Sequence, residues 1–185
     1  MSTPRWAVLG TLVAEPALDR PDLLGAPVAA ALKALDPADA ALVGVAAIDP
    51  ELADTAAFCE AYGSPMKGSA NCVVVAGKRG GDVRYAACLV LATTRADVNG
   101  FVRKHLDVRK ASFAPMDDAC ERTGMEYGGI PPIGLPDGWP VLVDAAVAAA
   151  AEVVIGSGIR GSKLALPGSL AARLPGAEVV EGLAR

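Results

Sequence analysis

A stretch rich in glycine and proline, YGGIPPIGLP at residues 127–136, constrains the fold of this chain more than any other segment. Proline lacks the backbone N–H that a helix or a central strand needs, and glycine loses the most chain entropy when its backbone is fixed. The segment therefore interrupts regular structure in mid-chain. Two interpretations stay open: a turn between two core elements, or a stiff loop whose exposed backbone N–H groups bind a ligand carbonyl or phosphate.

The composition favours a single globular domain over residues 1–185, because 52% of the residues are hydrophobic and the length suffices for a substantial core. No apolar run approaches the roughly 20 residues that span a bilayer. The opening segment MSTPRWAVLG lacks the basic start of an export signal. We therefore expect a cytoplasmic protein that does not associate with a membrane.

Residues that commonly bind metals or act as nucleophiles are sparse. His105 is the only histidine, and the four cysteines lie far apart without a CxxC pair. We therefore expect no metal site, no cofactor and no Ser-His-Asp triad. The cysteines are predicted to be reduced, buried thiols.

The charges are unevenly distributed around a net charge of −4. Residues 67–110 contain nine Lys and Arg against three Asp and Glu, whereas the segments on either side are acidic. This basic segment is either a solvated face or a shallow track for a phosphate backbone. The sequence does not rank these two alternatives.

Hydrophobic spacing, capping residues and turn residues predict the order of the elements. Helices are predicted at 23–35, 54–62, 97–106, 114–124 and 166–174, strands at 41–48 and 152–158, a hairpin formed by 71–77 and 83–93, and a strand followed by a helix within 139–151. Helices interleaved with hairpin-paired strands indicate an α+β domain with a mixed, partly antiparallel sheet.

From Asp54 to about Leu183 the sequence resembles the YbaK and prolyl-tRNA synthetase editing-domain family. The resemblance is carried by motifs in a fixed order. They are a helix ending at Gly63, a strand near NCVVV, a hairpin, TG at 123–124, GGIPPIG at 128–134 and GSGIRGSKLAL at 156–166. Residues 54–183 would form the family core, and residues 1–53 an N-terminal extension packed on it.

The resemblance implies a mixed or barrel-like β core flanked by helices, with a cleft for the 3′ end of an aminoacyl-tRNA. Members of the family hydrolyse the ester of mischarged tRNA that carries a small wrong amino acid, and they use no metal. Backbone amides would hold the ester while water attacks with the help of the ribose hydroxyl. We therefore expect a deacylase that acts in trans.

The same resemblance selects the site residues. A backbone amide of the Gly128–Gly129 turn would bind the ester carbonyl, because glycine allows the close approach of a substrate. Expected catalytic residues are Asn71, Gly129 and Lys163, and expected substrate-binding residues are Gly128, Ile130, Pro131, Pro132, Gly134, Ser157, Gly158 and Arg160.

Two positions depart from the family pattern. Asn71 stands where family members characteristically have a lysine, and Lys163 falls at an acidic family position. Asn71 has no charge, so Lys163 is either a replacement for the missing cation or an exposed strand residue.

Two other classes of function stay open. The chain could be a catalytically silent module that binds a tRNA end or a nucleotide in the same cleft, which Asn71 favours. It could also be a structural or interaction protein of unrelated fold, which would make the ordered motifs accidental.

Overall fold

The computed structural model describes residues 6–185. The strands are β1 (Glu15–Pro16), β2 (Gly44–Ala47), β3 (Ala70–Arg79), β4 (Asp82–Leu91), β5 (Lys110–Phe113), β6 (Val141–Asp144), β7 (Val153–Gly156), β8 (Ser162–Leu166) and β9 (Ala177–Val180). The α-helices are α1 (Ala26–Ala34), α2 (Pro37–Ala40), α3 (Thr55–Tyr62), α4 (Arg103–His105), α5 (Met116–Thr123), α6 (Ala145–Ala148) and α7 (Gly168–Ala171). Short 3-10 turns occur at Ala7–Leu9, Ala17–Asp19, Pro21–Leu23, Pro50–Leu52 and Met66–Gly68.

The strands form two sheets. A four-stranded antiparallel sheet has the order β1-β2-β8-β7, and a five-stranded mixed sheet has the order β5-β3-β4-β6-β9. In the second sheet β3 pairs antiparallel with β4 and β5, whereas β6 runs parallel to β4 and β9. A bridge between Ser69 and Val154 joins the two sheets. The predicted α+β class with a mixed sheet is confirmed.

The main core packs between the sheets and α1. Its fully buried members include Leu32 of α1, Leu89 of β4, Ile155 of β7 and Leu164 of β8. Strand β2 lies between β1 and β8, so described residues before position 54 take part in both the core and the sheet. The division of the chain at residue 53 stays a prediction.

Most predicted elements are present, with boundaries that follow local capping. Asp54 accepts a hydrogen bond from the Ala56 N–H at 3.1 Å, and α3 ends at Gly63 with φ +67°. One predicted helix, 97–106, has a different form. It opens as a π-helix over Val98–Val102, because Asp97 accepts from the Gly100 N–H and its carbonyl accepts from the Val102 N–H.

Cys88 is buried, the other three cysteines are half-buried, and all four are free thiols. Burial raises the pKa of the Cys88 thiol to about 12. Within residues 6–185, no three His, Cys, Asp or Glu side chains cluster in a way that could hold a metal ion. Over the same described range, every helix is too short or too polar to cross a bilayer.

Candidate functional site

A cavity of about 580 Å³ opens where both sheets meet α3 and α5. It is called here the central cavity. Its lining comes from the start of α3, the first half of β3, the ends of β7 and β8, α5 and the turn after it. The lining includes Asp54, Thr55, Phe58, Asn71, Cys72, Val73, Phe113, Tyr127, Gly128, Ile130, Ile155, Gly156 and Lys163.

Lys163 is the cation of the central cavity. It lies on β8 and is only 7% exposed. Its ammonium donates a hydrogen bond to the Ala53 carbonyl oxygen at 2.7 Å and lies 5.5 Å from the centre of the Phe58 ring. Burial lowers the pKa of Lys163 to about 8, while the charge of Asp54 opposes that shift. The alternative of an exposed strand residue at position 163 is therefore wrong.

Asn71 lies near the start of β3 and faces the same cavity. Its Oδ1 accepts a hydrogen bond from the Thr55 hydroxyl at 2.9 Å, which joins β3 to the first turn of α3. No partner for its amide nitrogen occurs within residues 6–185, so its N–H donors are free for a ligand. Asn71 can therefore orient a ligand oxygen without supplying a charge.

Asp54 gives the rim its carboxylate. Among the described lining residues of the central cavity, Asp54 is the only acid and Lys163 the only base. Asp54 is exposed, and one of its oxygens caps α3 through the Ala56 N–H. The cavity therefore presents one negative and one positive side chain to a ligand.

The glycine turn after α5 forms another wall. Gly128 has φ +75° and lines the cavity, whereas Gly129 is buried behind it. The Gly129 N–H donates to the Glu126 carbonyl oxygen at 3.0 Å, and the Gly129 carbonyl oxygen accepts from the Gly158 N–H at 2.8 Å. The Gly129 amide is thus used inside the turn. Among the described residues, no backbone acceptor occurs for the N–H groups of Gly128 and Ile130.

Close backbone contact explains why these positions are glycine. A Cβ on Gly129 would lie 2.8 Å from the Ile159 carbonyl oxygen, and a Cβ on Gly156 would lie 2.3 Å from the Gly129 carbonyl oxygen. The turn containing Gly128 therefore packs directly on the end of β7. The two glycine-rich segments, 128–134 and 156–166, therefore pack against each other backbone to backbone and are not two separate loops.

The structure brings some of the expected residues together. Asn71, Lys163, Gly128 and Ile130 line the central cavity, whereas Gly129 does not. The roles expected of these residues stay predictions.

The other expected site residues do not line the central cavity. Ser157 is buried and donates to backbone carbonyls, and Gly158 packs against Gly25. Arg160 donates to the Tyr127 carbonyl oxygen at 3.1 Å, which fixes the glycine turn from outside. Pro132 and Gly134 line a different cavity of about 290 Å³, and Pro131 lines neither that cavity nor the central one.

Sequence reasoning missed Thr55, Phe58 and Gly156 as lining residues. Asp54, the first residue of the predicted helix 54–62, lines the cavity and also caps α3. The basic segment 67–110 contributes no Lys or Arg to the described lining of the central cavity.

Comparison with known proteins supports the editing fold. The sequence model of the family described as the aminoacyl-tRNA editing domain matches residues 49–173. No curated protein sequence is significantly similar to this chain.

Several solved structures share the fold. A candidate trans-editing enzyme for prolyl-tRNA synthetase superposes with a TM-score of 0.69 at 21% identity, covering 84% of this chain and 93% of that one. The hypothetical protein APE2540 gives 0.69 at 18% identity, covering 80% and 95%. A candidate signal transduction protein from Marinobacter aquaeolei VT8 gives 0.57 at 17% identity, covering 85% of this chain and 30% of that one.

These structural likenesses show the fold alone, whereas the family match extends over more than half of the chain. The ordered glycine motifs around the central cavity fall within the matched residues. This chain therefore belongs to the aminoacyl-tRNA editing domain family.

Proposed function

We propose that this protein is a deacylase that acts in trans on mischarged tRNA and hydrolyses the ester of a small amino acid. The observation that carries the proposal is the shared cavity: the Lys163 ammonium, the Asn71 amide and the Gly128 turn line it together. The family match supports editing of aminoacyl-tRNA, and the structure adds a site whose charges suit an aminoacyl ester.

An aminoacyl ester carries one positive charge when its α-amino group is protonated, and its carbonyl oxygen gains negative charge when water attacks. The cavity offers one carboxylate, Asp54, and one ammonium, Lys163. In the proposed pose Asp54 receives the α-ammonium group and Lys163 faces the carbonyl oxygen. Opposite charges in a partly desolvated cleft favour this orientation of the substrate.

Lys163 is suited to stabilise the developing oxyanion. One of its three N–H donors is used by the Ala53 carbonyl, so two remain for a ligand. A preorganised ammonium in a site of low polarity is worth more than the same charge in water. Lys163 would thereby replace the lysine that the family has at position 71.

The backbone amides of Gly128 and Ile130 are the proposed second set of donors. The expected role of the Gly129 amide is not retained, because that N–H already donates to Glu126. Water would attack the ester carbon, and the bond from that carbon to the ribose oxygen would break. The ribose hydroxyl would leave with a proton and the amino acid would leave as a carboxylate. The proposed chemistry uses no metal and no cofactor.

The cavity also limits the size of the amino acid. Its volume of about 580 Å³ has to hold the terminal ribose as well as the aminoacyl group. Phe58 and Ile155 are fully buried in its wall, which leaves an apolar end suited to a short side chain. The proposed substrate is therefore the 3′ end of a tRNA charged with a small amino acid.

A catalytically silent binding module is the second candidate, and Asn71 is the observation that favours it. The two candidates separate in a deacylation assay with a panel of tRNAs charged with correct and incorrect labelled amino acids. A deacylase releases at least one small amino acid faster than buffer does. A silent module slows or does not change the spontaneous release while still binding the tRNA.

A further inference from the structure

A third cavity lies beside the central one. It measures about 690 Å³ and shares three lining residues with the central cavity, namely Asn71, Val73 and Phe113. We call it the side cavity. The two cavities therefore border each other at these three residues.

The side cavity has the positive charge that the rim of the central cavity lacks. Arg95 and Arg185 line it, together with Asp97, Thr94 and Asn99. The Arg185 guanidinium pairs with Asp97 at 3.1 Å, so these two charges offset each other. Arg95 is exposed and has no ion-pair partner within residues 6–185. Of the nine cations in the basic segment 67–110, Arg95 is the one that reaches this surface.

The backbone holds Arg95 in place. Its N–H donates to the Arg185 carbonyl oxygen at 2.9 Å, and the Arg185 N–H donates back to the Arg95 carbonyl oxygen at 3.1 Å. The Ala96–Ala184 bridge belongs to the same short pairing. The charge is therefore carried by a supported segment rather than by a free loop.

Phe113 exposes an aromatic ring at the boundary between the two cavities. It is the last residue of the edge strand β5, and it is 62% exposed although it is a large apolar side chain. An exposed aromatic ring beside an unpaired arginine is the combination with which proteins bind single-stranded nucleic acid. The ring stacks on a base and the cation contacts the backbone phosphate.

We infer that the side cavity binds the nucleotide that precedes the terminal adenosine of the tRNA, with its base on Phe113 and its phosphate at Arg95. The inference rests on the proposed function, because it assumes that the aminoacyl ester occupies the central cavity. It extends that function by assigning a path to the single-stranded 3′ end, which runs from the central cavity past Asn71 toward Arg95.

Two substrates test this placement. The first is an aminoacylated tRNA, and the second is the same amino acid esterified to adenosine alone, which is too short to reach the side cavity. Arg95→Gln should lower kcat/KM on the tRNA by about tenfold and leave hydrolysis of the adenosine ester unchanged. Phe113 also lines the central cavity, so Phe113→Ala should lower kcat/KM on both substrates, and by more on the tRNA than on the adenosine ester. Arg95→Gln should also reduce the salt slope of tRNA binding by roughly 0.7. Arg109→Gln is the matched control, because Arg109 is exposed and lines neither cavity.

Equal losses on both substrates, or no loss on the tRNA, would overturn the inference. If the wild-type protein hydrolyses neither substrate, the proposed function fails while the side cavity stays testable. In that case fluorescence anisotropy with a short uncharged RNA ending in CCA decides the matter. Weaker binding by both variants, with normal binding by Arg109→Gln, supports the cavity as an RNA site, and unchanged binding contradicts it.

Discussion

The Lys163 ammonium donates a hydrogen bond to the carbonyl oxygen of Ala53 at 2.7 Å, although 110 positions separate the two residues in the chain. This contact ties the start of β8 to the residue that precedes the Asp54 cap of α3. It holds the one buried cation of the described cavity lining beside the carboxylate on the rim. The pairing therefore sets the charge pattern on which the proposed chemistry depends.

Burial of Lys163 should cost stability, and the cost should depend on pH. The pKa of Lys163 is lowered from 10.5 to about 8, so between these values the unfolded chain binds more protons than the folded one. Wild-type stability should therefore rise from pH 8 to 10.5 relative to Lys163→Met, by roughly 2 to 3 kcal/mol. Urea denaturation of both proteins at pH 7, 9 and 10 measures this difference. A constant gap across that range would show that Lys163 is not buried as a cation.

The lowered pKa of Lys163 also predicts the pH profile of deacylation. The ammonium loses its proton above about pH 8, and oxyanion stabilisation is lost with it. The enzymatic rate divided by the spontaneous rate should therefore fall above pH 8. Rates measured from pH 6.5 to 9.5 on a substrate with an acetylated α-amino group, which does not titrate in this range, check this expectation. A ratio that stayed flat over the range would exclude a titrating ammonium from the mechanism.

Asp54→Asn should reveal what the rim carboxylate binds. Asparagine keeps the cap of α3 but removes the charge, so the fold should be preserved. We expect kcat/KM to fall by about tenfold on an ordinary aminoacyl-tRNA, and to change little when the α-amino group is acetylated and uncharged. Asp36→Asn, a cap on α2 outside the described cavity lining, serves as the control. Equal effects on both substrates would remove Asp54 from substrate recognition.

Gly156→Ala should displace the glycine turn. The new Cβ would lie 2.3 Å from the Gly129 carbonyl oxygen, and backbone at that distance has to move. We expect a loss of about 1 to 3 kcal/mol in the free energy of unfolding and a clear loss of deacylation. Gly161→Ala is the matched control, since its Cβ would meet only Pro50 and Ile159 at 3.9 and 4.0 Å. If Gly156→Ala and Gly161→Ala had the same stability and the same deacylation rate, the close packing of the two glycine segments would not be required.

Asn71→Lys tests whether the position of the cation matters or only its presence. In a Lys163→Met background, a lysine at position 71 should partly restore deacylation, because both residues line the same cavity. In the wild-type background the same change adds a second cation to the cavity. We expect it to lower the rate of deacylation rather than raise it. Restored binding without restored turnover would limit Lys163 to holding the substrate.

The fold was largely predictable because its signals are local. The hairpin of β3 and β4 follows from a Gly-Gly turn between β-branched runs, and α3 follows from its Asp54 cap and Gly63 stop. The π-helix at Val98–Val102 was not predictable from spacing, because it depends on which carbonyl accepts from Val102.

The site was only partly predictable, because its residues meet through long-range packing. Asn71, Gly128 and Lys163 were predicted because they lie in or next to the motifs that resemble the editing-domain family. The Gly129 N–H donates to the Glu126 carbonyl oxygen because of the conformation of one turn, and no sequence motif predicts that hydrogen bond. The Lys163 contact with Ala53 likewise joins segments whose sequences carry no common pattern. Arg95 stood among nine similar cations, and only the paired backbone of 95–97 with 183–185 distinguishes it.

The rate of ester hydrolysis under single-turnover conditions tests the central claim most directly. Wild-type protein and Lys163→Met are each mixed in excess with the mischarged tRNA that the wild type clears fastest, at pH 7. We predict that the wild type accelerates release well above the buffer rate and that Lys163→Met loses about 100-fold or more of that rate while remaining folded. A folded Lys163→Met protein that hydrolyses the ester as fast as the wild type would contradict the account.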